Sequence, residues 1–138
     1  MSRPDRLHVV VDGANVVGSR PDGWWRDRPA AARRLVGQLV ATLVDDPGRL
    51  AAAVGAHPGA HVHLVLEGRA AHVPDLPTHP ALSVVHAESD GDSAIVALSG
   101  ELGGVGVVVV TADRGLRARV LARGTTTVGP GALLAALA

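Results

Sequence analysis

The sequence predicts a three-layer parallel α/β fold, with helices covering both faces of one sheet. Three observations predict it. Runs of branched apolar residues, at 7–11 and 106–111 above all, suit strands buried on both faces. Stretches with apolar residues at helical spacing alternate with those runs. Acids follow the last apolar residues of several strands, and in a parallel sheet all such ends lie along one edge.

The elements follow in order. Residues 1–6 form a polar lead-in, and residues 7–11 the first strand, ending in Asp12-Gly13-Ala14-Asn15. Gly13 there lets the backbone turn. Residues 18–28 read as a turn-rich loop carrying Trp24 and Trp25, with Asp27 the N-cap of a helix that tolerates Pro29 in its first turn. Apolar positions 32, 35, 36, 39, 40, 43 and 44 give that helix a core-facing stripe. Asp45-Asp46-Pro47-Gly48 breaks it, and residues 49–56 make a short second helix. Residues 61–66 form the second strand, ending in Glu67-Gly68, and residues 68–81 a loop with one helical turn. Residues 81–86 form the third strand. Ser89-Asp90-Gly91-Asp92 opens a helix with Ile95, Leu98, Ser99 and Leu102 on its apolar side, stopped by Gly103-Gly104. The strand at 106–111 is the most apolar and is expected in the centre of the sheet. After Thr111-Ala112-Asp113 comes a helix with Leu116, Val120 and Leu121 inward and Arg114, Arg117, Arg119 and Arg123 on or near it. Residues 125–128 form a last, edge strand, and Pro130 starts a terminal helix with Leu133, Leu134 and Leu137 on one side.

At 138 residues and 47% hydrophobic, the chain reads as one globular domain, 1–138, able to bury a core. With no cysteine, it offers neither a disulfide framework nor a thiolate zinc site. No apolar stretch is long enough to span a bilayer and the N-terminus lacks a signal-peptide pattern, so a cytoplasmic location is expected. A net charge of zero gives no global pull towards nucleic acid. All 13 basic residues are arginine; phosphate recognition is one reading, but a GC-rich genome explains the composition more simply.

The acids are the most informative feature. Asp12, Glu67 and Asp113 each follow a strand, and Asp90 and Asp92 open a helix after another. Two carboxylates about 5 Å apart repel by roughly 3 kcal/mol at an effective dielectric of about 20. Four together need protons or a cation. Hard oxygen ligands of this kind suit Mg²⁺ or Mn²⁺, which could activate water and stabilise charge growing on a phosphodiester. The blander reading makes Asp12 a turn residue and Asp92 and Asp113 helix caps, with Asp90 the acid most suited to capping alone.

The segments VVVDGANVV, VLEGRA, DGDSAIVAL and VVVVTADRGLRARV resemble, in this order and over nearly the whole chain, the PIN-like nucleases, and within them the NYN branch with its small bacterial members. DGAN after a strand and T-x-D-R-x-L after a later one are the more specific motifs. The resemblance implies a PIN-like, Rossmann-like sheet whose carboxylates bind Mg²⁺ or Mn²⁺ and cut RNA or single-stranded DNA. Carried onto this chain, it makes Asp12, Asp92 and Asp113 metal-binding and catalytic acids, with Glu67 a fourth metal ligand. Asn15 becomes the polar partner of Asp12, and Thr111 orients the site through its hydroxyl. Many relatives carry two adjacent acids where this chain has Asp92-Ser93, a departure that bears on a second metal and leaves Asp90 to compensate.

Trp24 and Trp25 lie in the loop after the Asp12 motif among Arg20, Arg26 and Arg28; one is expected to pack against the first long helix, and either could stack on bases of a single strand. Trp24 is the candidate for substrate binding, and Arg114 and Arg117 are candidates for holding substrate phosphate. His61 and His63 share one side of a strand, but with His57 they find no third metal ligand on a rigid element. Gly103–Gly106 precedes a strand, which disqualifies it as a dinucleotide loop. The expected activity is therefore metal-dependent phosphodiester hydrolysis, with RNA or single-stranded DNA as partner, no membrane association and room for a homodimer. Two alternatives share the acid edge. A nucleotide phosphohydrolase would act on small substrates and spare polymers. A degenerate binding module would retain RNA in a salt-dependent way without cutting it.

Overall fold

The computed structural model describes residues 5–137. Residues 1–4 of the lead-in lie outside them. The order is β1 (His8–Asp12), α1 (Gly13–Gly18), a 3₁₀ turn (Trp24–Arg26), α2 (Arg28–Asp45), α3 (Pro47–Val54), β2 (His61–Leu66), a second 3₁₀ segment (Gly68–His72), β3 (Leu82–His86), α4 (Gly91–Glu101), β4 (Val107–Val110), α5 (Arg114–Leu121), β5 (Thr126–Val128) and α6 (Pro130–Ala136).

The five strands are all parallel, in the order β3-β2-β1-β4-β5. The expected α/β architecture is the one found. Alternate residues of each interior strand serve opposite faces. Val9 and Val11 pack with Leu64, Leu66 and the α2 residues Leu35 and Leu39, whereas Val10, Val65, Val107 and Val109 pack with Ile95 of α4 and Leu116 and Val120 of α5. β1, not β4, occupies the middle of the sheet. β4 lies beside it with all four residues buried, because both are sandwiched between helix layers and apolarity alone does not rank them. β5 pairs only with β4 and is an edge strand, as expected.

Three local expectations are corrected. Asp12-Gly13-Ala14-Asn15 is not a free turn: Asp12 caps α1, accepting from the Asn15 backbone N–H at 3.3 Å. Gly13 serves close approach rather than turning, since a Cβ there would stand 2.6 Å from the Val65 carbonyl oxygen on β2. Val44 and Leu121 are 70% and 52% exposed. Each sits one residue, about 100° round the helix, from the inward Leu43 or Val120. The lead-in is also more than solvated polar chain, because the Arg6 guanidinium donates to the carbonyls of Val105 and Gly124.

Candidate active site

In an open parallel sheet, the crevice for ligands lies beyond the carboxyl ends of the strands where the strand order reverses direction. Here that point falls between β1 and β4. From β1 the chain steps outward through β2 and β3, then returns to β4 on the other side of β1. Asp12 ends β1, and Thr111 and Asp113 follow β4. The crevice is therefore bounded by the residues of the two most specific sequence motifs.

Hydrogen bonds lock these residues across the crevice. The Thr111 hydroxyl, fully buried, donates to Oδ2 of Asp12 at 2.8 Å and accepts from the Asp113 backbone N–H at 3.1 Å. Asn15 Oδ1 accepts from the Ala112 backbone N–H at 2.8 Å, stitching α1 to the turn after β4. Asp113 Oδ1 accepts from the Leu116 backbone N–H at 2.9 Å and so caps α5. Glu67 Oε2 accepts from the Gly91 backbone N–H, joining the end of β2 to the start of α4. Asp90, not Asp92, caps α4, accepting from the Ser93 backbone N–H at 2.7 Å. Capping and site-building are therefore not rival roles for Asp12 and Asp113. Three helices begin at this edge, and each cap places a carboxylate on it. Asp92, in the first turn of α4, caps nothing.

The carboxylates sense one another. Burial pushes the Asp12 carboxyl above its ordinary range; hydrogen bonds from Thr111 and Asn15 oppose the rise, and the charges of Asp92 and Glu67 add to it. Asp92 is raised by burial first and then by Asp113, Glu67 and Asp90, with Arg119 opposing. Asp90 is lowered by its hydrogen bonds from Ser93. Glu67 and Asp92 thus act on Asp12 through their charges, and Asp113, Glu67 and Asp90 on Asp92.

The convergence stops short of a direct four-carboxylate chelate. Among the described residues, no three His, Asp or Glu side chains are grouped closely enough to hold a metal ion together. The donor set nevertheless suits a hard, hydrated cation. Mg²⁺ keeps several waters and takes only one or two protein carboxylates, with substrate phosphate completing its shell. Asp12, whose two oxygens each receive a single hydrogen bond, and Asp92, free of capping, are the residues placed to hold it.

The remaining candidates separate. Arg117 Nε donates to the Thr111 carbonyl at 3.0 Å, so it braces the turn after β4. Arg114 is exposed at the first residue of α5, beside Asp113. Trp24 packs partly against the core and lines a hollow of about 460 Å³, whereas Trp25 is exposed. Two residues escaped the sequence-based site. Arg119 tempers Asp92 and Asp90 from α5, yet nothing distinguishes it from the other helix arginines without the packing of α5 on α4. His8 stands with His61 and His63 at the opposite end of the strands, its Nδ1 3.0 Å from His63 Nε2. The His8–His61 register that joins them is legible only once the strands are paired.

No family model matches the chain, and no curated protein matches it in sequence. Solved structures do match in shape. The chain is similar in fold to Rae1 (YacP) from Bacillus subtilis. The superposition has a TM-score of 0.66 at 18% identity and covers 94% of this chain and 72% of that one. A tryptophan-to-leucine variant of Rae1 gives a TM-score of 0.66 at 17% identity, covering 94% and 73%. At such identity the likeness to Rae1 is one of architecture, and it matches the fold expected from the motifs.

Proposed function

We propose that this chain is a metal-dependent nuclease that hydrolyses phosphodiester bonds of RNA or single-stranded DNA at the carboxyl edge of its sheet, with RNA preferred. One observation carries the reading. Asp12 is buried at the topological switch point, held there by Thr111 and Asn15, and surrounded by further carboxylates that raise the cost of its charge. Carboxylates left ionised in such company call for a cation. The PIN-like motifs, and the fold shared with Rae1, support the same reading.

When bound, Mg²⁺ or Mn²⁺ would activate a water and stabilise charge on the phosphoryl oxygens. Asp12 and Asp92 would hold it directly, with Glu67 and Asp113 adding negative charge around it. Thr111 and Asn15 fix Asp12 in one orientation, so that no reorganisation is needed when substrate arrives. Arg114 offers a guanidinium for substrate phosphate beside Asp113, while Arg117 keeps the turn that carries Asp113 in shape.

The test is cleavage of end-labelled single-stranded RNA and DNA in Mn²⁺, Mg²⁺ or EDTA, with the intact chain beside Asp12→Asn. Metal-dependent cutting lost in the variant is the expected result. Its loss should exceed the roughly 10- to 100-fold typical when a group one step removed from a metal is deleted. Mn²⁺ should also raise the melting temperature of the intact chain and not of Asp12→Asn. Equal turnover by both proteins, or no cutting and no stabilisation by metal, overturns the proposal.

A further inference from the structure

The hollow that Trp24 lines borders the acid edge. It measures about 460 Å³, within the range of roughly 300–1,000 Å³ usual for small-ligand sites. Val17, Leu66 and Trp24 give it an apolar lining, and Arg28, Glu67 and Asp90 line it too. Glu67 is the same carboxylate whose charge reaches Asp12 and Asp92. A second hollow, lined by Trp25 and Arg26, shares Arg28 and Gly68 with the first. Through these shared residues the two adjoin and make one track.

We propose that this track binds two successive unpaired nucleotides of an RNA strand, one base in the hollow against Trp24 and the next on Trp25. This deepens the nuclease reading and rests on it for the chemistry, though the binding is tested separately. Three features point to this occupant. The face-to-base contact that aromatic rings offer is indifferent to sequence but needs a base free of its own stack. The Trp24 and Trp25 rings are set edge to face, 89° apart with centroids 6.1 Å from each other. Two bases lying on them must therefore be splayed, a geometry that duplex stacking forbids and a single strand permits. A guanidinium also lies over each ring, Arg28 5.5 Å from the Trp24 centroid and Arg26 5.8 Å from that of Trp25, within reach of a bound strand's phosphates. Core packing accounts for Trp24 being fixed in place. It does not account for Trp25, which is 56% exposed beside two arginines.

The chain has no tyrosine or phenylalanine, so its intrinsic fluorescence comes from these two tryptophans alone. The experiment titrates full-length Asp12→Asn, in EDTA so that nothing is cut, with a single-stranded RNA hexamer, the same sequence as duplex, and an abasic hexamer. Saturable quenching by the single strand is expected, with duplex and abasic strands binding at least about fivefold more weakly. Trp25→Ala should weaken the single strand by about 5- to 100-fold, the range that loss of one stacked base implies. Arg28→Gln should lower the slope of log affinity against log salt by about one. Trp25 is chosen over Trp24 because it is exposed, so the fold tolerates its loss. Equal binding of duplex or abasic RNA, or an unchanged affinity in Trp25→Ala, overturns the proposal. If binding behaves as expected but Asp12→Asn still cleaves RNA as the intact chain does, the track stands and the assigned catalytic acid falls.

Discussion

β1 carries a cluster of titratable groups at each end, and the two ends solve the same problem differently. At the carboxyl end, the charges of Glu67 and Asp92 reach Asp12 and that of Asp113 reaches Asp92; at the amino end, His8 meets His63, and His63 meets His61. Both are sets of like groups drawn partly out of water. Burial disfavours the charged forms of His61 and His63. Burial, then the neighbouring His61 and His8, push the His63 pKa down to about 4, and the rings bond to one another and to Ser83. His63 is therefore neutral at pH 7, and its ring finds its partner within the cluster. Carboxylates have no such exit, because even a raised carboxyl remains ionised near neutrality unless the shift is very large. The sheet instead aims helix-capping N–H groups and a threonine hydroxyl at them, which orients the charges without cancelling them. One end satisfies its polar groups within the fold, and the other keeps carboxylates that the proposed cation would balance.

The contrast breaks first at Thr111. Replacing it with valine keeps the shape but removes the hydroxyl from Asp12 Oδ2 and from the Asp113 N–H. Cleavage should fall by about 10- to 100-fold, with Thr111→Ser recovering most of it. Single-turnover assays in saturating Mn²⁺ check this; an unchanged rate would mean that Asp12 needs no orientation. A smaller effect is expected from Gly13→Ala, which drives a methyl against the Val65 carbonyl and prises α1 off β2. It should cost about 1–3 kcal/mol in urea unfolding, as overpacking does elsewhere. The same substitution at Gly37, where a Cβ meets nothing within 4 Å, serves as the control.

The smallest effect sharpens the comparison through pH. His63 titrates near 4 folded and near 6.5 unfolded, so the unfolded chain binds the extra proton between those values. Its contribution to stability is present above about 6.5 and is lost as pH falls towards 4. Asp12 and Asp92, raised in the fold, act with the opposite sign: their contribution is greatest at low pH and declines as pH rises through their folded values. His63→Gln should therefore flatten the loss of stability on acidification from 6.5 to 4, and Asp12→Asn should steepen it. Unfolding midpoints measured across that interval in EDTA decide it; identical profiles for the two variants would show that the ends of β1 do not differ in this way.

Much of the edge could be read from the chain because capping residues must stand where strands stop and helices start. Asp12, Asp90 and Asp113 were legible for that reason, and Glu67, which does not cap the 3₁₀ segment it precedes, because it follows a strand directly. α1 was not, since its six residues complete fewer than two turns and give no period to detect. Asp90 and Asp92 flank one glycine, and either could have capped α4; only the hydrogen bond from Ser93 tells them apart. The cation-bearing track was half legible. Two adjacent tryptophans among arginines drew attention, but their perpendicular setting and shared hollow depend on how the 3₁₀ turn meets α1 and the end of β2.

The bond between Asp12 and Thr111 joins residues 99 apart in sequence. β1 is made first yet belongs in the middle, where its partners β2 and β4 lie far downstream. During synthesis one side of it can pair once residues 61–66 are made, but the other waits for residues 107–110. A nascent or truncated chain ending before β4 lacks half of the crevice and both of the later groups that complete it. The edge is therefore complete only when the last interior strand lies beside the first.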